Sequence, residues 1–476
     1  MNKFKLFIEN FFVYGMGGII SKIIPLIMVP IITRIMPNSS YYGINDLSNT
    51  VISFCSSIAV MGMYDAMYRL FFEKDEKEYK KTVCSTAAVF TLGMSIVIFL
   101  LMLLFKDMIA QYFFSDKKYA YMIYLSAMAT LVGATNSIIS APVRMQNKRK
   151  IYLIINTISP LLSYAISISL LLLGYYTIAL PFAAVISGVV IEISFWAVNR
   201  EWFSFKRFDR KLLKPLLTIA IPLLPNFLIY WIFNSCDKVM ITNMLGVGAA
   251  GIYSVGSKFG HCSQLVYTAF AGGWQFFALS TMKEKNQVKI NSIIFEYLGI
   301  ISFIATTFVC AWSYWIFDIL FTEEYLDGYI IAPYLFLAPL LQMLYQVIGN
   351  QFLIIKKTWP SSFVLAAGAV VNIIINYLTI PILGIEGAAI ATLIGYIISD
   401  IVCVVVLIRM KLMIIEFRFI MAALIMAVYF SAWRRFFSDS TIICTLLAVV
   451  VSGIFIFLYR EDIKNFLTMV KINKHK

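Results

Sequence analysis

The sequence predicts an all-α, polytopic membrane protein with about fourteen transmembrane helices. Hydrophobic residues make up 61% of the 476 residues and charged residues only 13%, whereas a soluble domain carries about 25% charged residues. The apolar segments follow one another through short linkers, so no soluble domain is predicted between them. With so few charges, the chain could not cover the surface of a soluble protein of this size.

The helical spans follow from length, because about 20 apolar residues cross a bilayer as a helix. The apolar run that ends at Ile32 is too long for the core of a secretory signal and lacks a small-residue cleavage site, so it is predicted as the first span. The predicted spans are roughly 9–32, 44–66, 83–105, 119–141, 151–173, 176–198, 213–235, 250–276, 291–316, 330–355, 360–382, 386–408, 414–432 and 441–459.

The distribution of Lys and Arg predicts the orientation of these spans. With a cytoplasmic N-terminus, 30 of the 39 basic residues fall in inner segments and 7 in outer loops, while Lys22 and Lys258 lie within spans. Both termini are therefore predicted to be cytoplasmic. The inner loops face an anionic leaflet, so membrane lipids explain the net charge of +14 without a nucleic-acid partner.

Two sets of matching positions indicate an internal duplication. The segments 42–44 and 250–252 each centre on a Gly followed by Ile and lie 208 residues apart, and Gly174 and Gly384 lie 210 residues apart. Parallel repeats of this kind are a transporter architecture, with the substrate site between the halves. The predicted division is two pseudo-repeated six-helix lobes, 1–200 and 201–410, and a pair of additional helices with a cytoplasmic tail, 411–476.

Paired prolines occur in the first span of each predicted lobe, Pro25 with Pro30 and Pro222 with Pro225. Proline removes a backbone hydrogen bond and kinks a helix, which predicts bending elements at these places. Membrane helices also tolerate proline without a special role, and the sequence leaves both interpretations open.

Basic side chains inside the spans are the first candidates for a substrate site. A charge at the bilayer centre costs at least about 2.5–3.5 kcal/mol, so Lys22 and Lys258 are expected to face a cavity or a partner. Cations in a cavity attract a phosphate or pyrophosphate head group. The alternatives are that Lys258 snorkels or pairs with Asp237, and that Arg34 anchors its helix end at lipid phosphates.

Titratable side chains in or beside the spans are candidates for ion coupling or gating. Partnering of bases in the loops is the alternative for the acidic ones, and Asp65 could simply pair with Arg69 four residues later. His261 could be linked to a proton or be a packed neutral imidazole. The candidates are Asp46, Asp65, Glu192, Asp237, His261 and Asp400.

Four stretches carry a resemblance to a known family: PIITRIMPNSSYYGINDLSN at 30–49, GMYDAMYRLFFE at 62–73, the segment 221–259 and LGIEGAAIATLIGYIISD at 383–400. They resemble bacterial polysaccharide-export flippases of the multidrug/oligosaccharidyl-lipid/polysaccharide superfamily. The 221–259 stretch is the most specific, with its two prolines, the Asp237-basic pair and Lys258 in register.

The resemblance implies a two-lobed helix bundle with a cationic cavity in a bacterial cytoplasmic membrane. It implies a flippase that moves an undecaprenyl-pyrophosphate-linked oligosaccharide to the outer leaflet by alternating access, coupled to a gradient of H⁺ or Na⁺. A polysaccharide polymerase and glycosyltransferases are the implied partners, and no cofactor or metal is expected. The motif charges carried over by position are Arg34, Arg69, Asp237 and Lys258, whereas Lys22 rests on its position within a span alone.

Three other functions were weighed against this one. A multidrug or cation antiporter of the same superfamily usually has twelve spans and holds cations with buried acids, whereas this chain has buried lysines. A membrane-embedded polymerase or acyltransferase needs a large outer loop or a catalytic cluster, and the longest predicted outer loop is about a dozen residues, so no enzymatic activity is predicted. A scaffold without transport would not need buried bases.

Overall fold

The computed structural model describes residues 23–282, 284–355, 359–462 and 464, and these residues form helices and connecting turns without a β-strand. The all-α prediction is therefore confirmed. The α-helices in order are α1 Ile23–Ile35, α2 Ser39–Val60, α3 Met63–Phe71, α4 Lys77–Leu104, α5 Lys106–Phe114, α6 Ala120–Met145, α7 Arg149–Leu172, α8 Ala179–Asn199, α9 Arg210–Ala220, α10 Leu224–Trp231, α11 Asp237–Leu245, α12 Val247–Gly260, α13 Gln264–Ser280, α14 Gln287–Leu320, α15 Gly328–Ile354, α16 Trp359–Leu383, α17 Ile385–Arg409, α18 Phe417–Ala432 and α19 Thr441–Leu458.

Eleven helical segments in the described part of the chain are long and apolar enough to cross a membrane, and twelve if the bent pair α2 and α3 is one span. The count of fourteen is therefore not confirmed. The two remaining predicted spans are the first, most of which lies outside the described residues, and the eighth. The eighth is helical from Val247 to Ser280, with a 3₁₀ turn at His261–Ser263.

The seventh span is longer than predicted. A continuous helical path runs from Arg210 to Leu245, so the helix continues beyond Asp237 and Lys238, where the sequence placed its end. The span was predicted to end at the charge pair because unpaired charges are costly in a bilayer. Both side chains have partners, which lets the helix continue for eight residues beyond Asp237.

A bend without proline divides the second span. Helices α2 and α3 meet at 43°, and the two residues between them, Met61 and Gly62, have positive φ angles of 50° and 74°. A Cβ atom at Gly62 would lie 2.7 Å from the Ala220 carbonyl oxygen, so this turn needs a residue without a side chain for space as well as for conformation.

The chain forms two compact units. The first contains residues through Val255 and Ala369–Thr392, and the second contains Gly256–Gly368 and Leu393 onward. These units group residues by contact, and the lobe boundaries derived from the repeat remain a prediction.

Within the first unit, the two repeated Gly positions lie against each other. A Cβ atom at Gly43 would lie 2.2 Å from the Val247 carbonyl oxygen, and one at Gly251 would lie 2.1 Å from the Ser39 carbonyl oxygen. The backbones of α2 and α12 are therefore in direct contact, as small residues allow between membrane helices.

In the second unit, the last two helices pack on α14. The Phe419 ring stacks on Phe303 with centroids 6.0 Å apart and covers Gly299, where a Cβ atom would lie 2.5 Å from it. A polar cluster fastens the same helices: the Glu296 carboxylate accepts hydrogen bonds from the Glu416 amide at 2.8 Å and the Tyr459 hydroxyl at 3.0 Å.

Candidate functional site

A buried ion pair joins the second and seventh spans in the first unit. The Lys238 ammonium on α11 donates to the Asp46 carboxylate on α2 at 2.6 Å, and both side chains are nearly inaccessible, with exposed fractions of 13% and 4%. Asp46 is thus neutralised by a base 192 positions away in the sequence. This pairing removes Lys238 from the charges that could meet a substrate.

Asp237 lies beside this pair and has a different set of partners. Its carboxylate accepts hydrogen bonds from the Tyr253 hydroxyl on α12 and, at 2.8 Å, from the Lys238 backbone amide. The Thr392 hydroxyl on α17, which accepts a hydrogen bond from Asn372, also lies near this carboxylate. These groups are a phenol, an amide and a hydroxyl, so Asp237 has no cationic side chain among its hydrogen-bond donors.

Two asparagines on α16 extend the cluster. The Asn372 side-chain amide donates to the Thr392 hydroxyl at 3.1 Å, and the Asn376 amide donates to the Asn372 carbonyl oxygen at 3.2 Å. Both asparagines are fully buried. The carbonyl oxygen of Asn376 has no hydrogen-bond partner among the described residues, which is unusual for a buried polar atom.

The local folding of the seventh span brings Asp237 to this position. The segment Ile232–Cys236 is π-helical, and the extra residue of a π-helical turn rotates everything that follows by about 100° around the helix axis. Asp237 is the first residue of α11, directly after this segment. A 3₁₀ turn at Ile221–Leu223 lies earlier in the span and contains Pro222, and Pro225 follows in the first turn of α10.

Together these side chains form what we call the Asp237 cluster: Asp46, Asp237, Lys238, Tyr253, Asn372, Asn376 and Thr392. Because Asp46 and Lys238 neutralise each other, the net charge of the cluster is that of Asp237 alone. Its oxygen atoms come from two carboxylates, two hydroxyls and two amides, which are ligands that hard cations prefer.

Sequence reasoning identified Asp46 and Asp237 but missed the neutral members of the cluster. A signal was present for two of them, because Asn372 and Asn376 are one helical turn apart in an otherwise apolar span. Tyr253 and Thr392 gave no such signal, since single hydroxyl residues are common in membrane helices.

Lys258 lies in the second unit, on the last turn of α12. Cβ atoms at Gly256 and Gly260 would lie 2.5 Å from Ile331 and 2.7 Å from the Ala332 carbonyl oxygen, so these two glycines face α15. Lys258 is two residues from each, which places it about 160–200° around the helix, on the side away from α15. Lys258 and His261 are half-buried.

The other predicted basic sites are at helix ends or beyond the described chain. Arg34 is exposed at the end of α1, and Arg69 is exposed on α3. Asp65 is exposed as well, and the described contacts contain no ion pair between Asp65 and Arg69. Lys22 lies outside the described residues.

The prolines of the first span are within the described part of α1. Pro25 and Pro30 are half-buried, and the Thr33 hydroxyl donates to the Val29 and Pro30 carbonyl oxygens at 2.9 and 3.1 Å.

The remaining acidic candidates have different surroundings. Glu192 is half-buried on the wall of a cavity of about 220 Å³ in the first unit, together with Ser85, Thr135 and Trp196. Asp400 is buried in α17, within the second unit.

Solved structures with the same fold come from two groups of membrane proteins. The lipid II flippase MurJ, in an inward closed conformation, superposes with a TM-score of 0.72 at 16% identity and covers 96% of this chain and 99% of its own. A multidrug resistance MATE family transporter in its inward-facing conformation gives a TM-score of 0.63 at 15% identity, covering 83% of this chain and 94% of its own. The outward-facing conformation of a MATE family transporter gives 0.59 at 15% identity, covering 85% and 95%.

The fold and the intramembrane polar clusters define a multi-span helical membrane protein of the MurJ and MATE type. The pattern of the family described as Polysaccharide biosynthesis protein matches residues 7–276, which is more than half of the sequence. The chain belongs to this family, and the predicted resemblance is confirmed. No curated protein matches the chain.

Proposed function

We propose that the protein is a flippase that moves an undecaprenyl-pyrophosphate-linked oligosaccharide from the cytoplasmic to the outer leaflet for cell-surface polysaccharide synthesis. The observation that carries the proposal is membership of the polysaccharide biosynthesis family. Its fold supports it, because it matches a lipid II flippase along 96% of the chain. In this proposal the protein lies in the bacterial cytoplasmic membrane with both termini inside, and supplies a polymerase with units assembled by glycosyltransferases.

Lys258 is the basic side chain that we assign to the pyrophosphate. It is half-buried within a membrane helix and lies on the side of α12 away from α15, where its charge is accessible enough to meet an anion. Arg34 and Arg69, exposed at helix ends, are assigned to the head group as it enters or leaves. Lysine binds phosphate as a point charge, whereas arginine can donate two parallel hydrogen bonds.

We further propose that the Asp237 cluster binds the coupling ion and that this ion is Na⁺. The cluster offers one net negative charge and several oxygen ligands, including the Asn376 carbonyl oxygen that lacks a hydrogen-bond partner. A monovalent cation would balance this charge. Transporters of related architecture place such sites at midplane between discontinuous helices, and the π-helical segment before Asp237 is a discontinuity of this kind.

Binding of a cation would link four spans. Asp237 is on α11, Tyr253 on α12, Asn372 and Asn376 on α16 and Thr392 on α17. Without the ion, the Asp237 carboxylate would be joined to another of these helices by the hydrogen bond from Tyr253. An ion that binds one arrangement of the helices more tightly than another shifts the population toward that arrangement, and this is how its gradient would drive transport.

The second candidate is a multidrug antiporter, which the MATE match favours. That match covers 83% of the chain, against 96% for the flippase. In a flippase, the additional helices α18 and α19 can flank a groove for the lipid tail. Deleting 414–476 should then abolish transport of the lipid-linked substrate while the preceding spans still insert.

The test is deletion of the gene in the native host and extraction of lipid-linked oligosaccharide. Accumulation on the inner leaflet, reversed by the wild-type protein and by Lys258→Arg but not by Lys258→Ala, is expected. Lys117→Ala is the matched control, because Lys117 is exposed outside the apolar part of its helix, and it should complement fully. A deletion strain that exports normal amounts of polysaccharide would contradict the proposal.

The choice of ion requires purified protein in vesicles with a fluorescent short-chain oligosaccharide on undecaprenyl pyrophosphate as the probe. Flipping should follow an imposed Na⁺ gradient. This sodium-driven flipping should be lost in Asp237→Asn. If a pH gradient alone supports the full rate and Na⁺ has no effect, the cluster does not bind sodium. Efflux of cationic dyes without movement of the probe would favour the antiporter.

A further inference from the structure

Asp400 has no protein partner although it is almost completely buried. Its side chain is on α17, with 7% of the residue exposed, and both carboxylate oxygens are buried without a hydrogen-bond partner among the described residues. Buried polar atoms in native proteins nearly always have one. An unpartnered pair of oxygens on one carboxyl group therefore calls for a functional explanation.

The position of Asp400 excludes an easy route to the membrane surface. It lies nine residues from Arg409 at the end of α17, which at 1.5 Å per residue is about 14 Å along the helix. An aspartate side chain has one methylene group and cannot span that distance to reach water or a base in the loop. The alternative that Asp400 partners a loop base is not realised in the described structure.

The groups around Asp400 do not favour a negative charge either. Cys403, one turn further along α17, is the titratable neighbour on which its charge would act, and Tyr396 is one turn before it. On the facing helix, a Cβ atom at Gly368 would touch the Ser399 hydroxyl, so α16 packs against α17 next to Asp400. The stretch 364–372 of α16 contains no titratable side chain.

Glu296 shows how a buried carboxyl group is provided with partners in the same unit. It is 3% exposed and accepts hydrogen bonds from the Glu416 amide and the Tyr459 hydroxyl. The Arg418 guanidinium lies 3.9 Å away. A carboxylate in an apolar interior needs such donors to keep its charge, and Asp400 has none of them.

We infer that Asp400 is a proton-binding site that is loaded at neutral pH, separate from the sodium site proposed at Asp237. The protonated acid is uncharged, which allows it to remain buried, and it releases its proton only when the helix arrangement admits water or a base. Its role in transport, though not its protonation, rests on the proposed function. A flippase with both sites would respond to a pH gradient as well as to sodium.

The experiment is infrared spectroscopy of the purified full-length protein in lipid vesicles at pH 7. A protonated carboxyl group absorbs as a C=O stretch that is separate from the bands of an ionised carboxylate. Asp400→Asn should lose one such C=O band, and Asp400→Glu should keep it at a shifted frequency. Glu296→Gln, the matched control, should leave the C=O band unchanged and lose carboxylate intensity.

The outcomes are decisive for the inference. If Asp400→Asn retains the full C=O band and loses carboxylate intensity, Asp400 is ionised and the inference is wrong. If Asp400→Asn does not fold, Asp400→Glu provides the test. A C=O band at a shifted frequency supports the inference, and an unshifted band contradicts it. A C=O band of Asp400 in a protein that moves no lipid-linked probe would preserve the proton site and contradict only the proposed function.

Transport in vesicles then separates the two ion sites. With the fluorescent undecaprenyl-pyrophosphate probe, Asp400→Asn should lose the response to an imposed pH gradient and keep the response to sodium. Asp237→Asn should do the reverse. An unchanged pH response in Asp400→Asn would show that its proton takes no part in transport.

Discussion

Lys238 and Asp46 form a buried ion pair between spans that the sequence separates by 192 positions, with the ammonium and carboxylate 2.6 Å apart. This pair distinguishes the two neighbouring charges of the 221–259 stretch, Asp237 and Lys238. Lys238 compensates Asp46, and Asp237 is left with hydrogen bonds to neutral groups. Within the Asp237 cluster, Lys238 of the motif therefore belongs to a structural pair, and Asp237 carries the net charge.

Removing one partner of this pair should destabilise the protein strongly. Lys238→Met removes the ammonium that lies 2.6 Å from the buried Asp46 carboxylate, and breaking a buried pair in this way costs about 3–5 kcal/mol. The double variant Asp46→Asn/Lys238→Met should recover much of this loss, which thermal unfolding in detergent can measure. Lys118→Met, which breaks an exposed pair with Asp116, should leave the Tm almost unchanged; equal losses in both single variants would contradict the role of burial.

Sodium should stabilise the folded protein if the Asp237 cluster binds it. A ligand at a hundred times its Kd stabilises the native state by about 2.7 kcal/mol, so the Tm in NaCl should exceed the Tm in choline chloride. Asp237→Asn should abolish the difference and Thr392→Val should reduce it. Asp318→Asn, an exposed acid at the end of α14, should keep the full effect, and a sodium-dependent Tm that survives in Asp237→Asn would place the ion elsewhere.

Replacing Glu296 with alanine should weaken the attachment of α18 and α19 to α14. Glu296→Ala leaves the buried Glu416 amide and Tyr459 hydroxyl without their acceptor, at a cost of about 1–3 kcal/mol. Faster proteolysis of the 410–416 linker, followed by mass spectrometry, is the expected result. Glu461→Gln affects an exposed ion pair with Arg460 and should leave the cleavage rate unchanged.

Asp439 should make stability depend on pH through its bond to Tyr329. The Tyr329 hydroxyl donates to Asp439 at 2.5 Å, and this bond and one from Ser438 hold the pKa of Asp439 below its ordinary value of 3.8. A lowered folded-state pKa contributes stability above pH 3.8 that is lost as the pH falls through the folded value. Tyr329→Phe should therefore lower the Tm at pH 7, and the difference from wild type should shrink below pH 3.8; a constant difference would point to packing alone.

Hydropathy alone predicted the helical membrane fold, because the bilayer requires long apolar segments whatever their contacts. It could not place the end of the seventh span, since the partner of Lys238 lies far away in the sequence. The bend at Gly62 was also missed, because it arises from positive φ angles without a proline. In the candidate site, charge marked Asp237, but Thr392 and Tyr253 became recognisable only when the fold brought them to its carboxylate.

The contact between Gly43 and Gly251 has a consequence for how this sequence can evolve. Adding a single methyl group is the smallest enlargement that a codon change can make at glycine, and at both positions it would collide with a backbone oxygen. No side chain is intermediate in size between glycine and alanine, so neither position can be enlarged in smaller steps. Saturation mutagenesis with selection for export should thus find these two glycines intolerant of every replacement, while Gly93 and Gly453, which have open space around them, accept many.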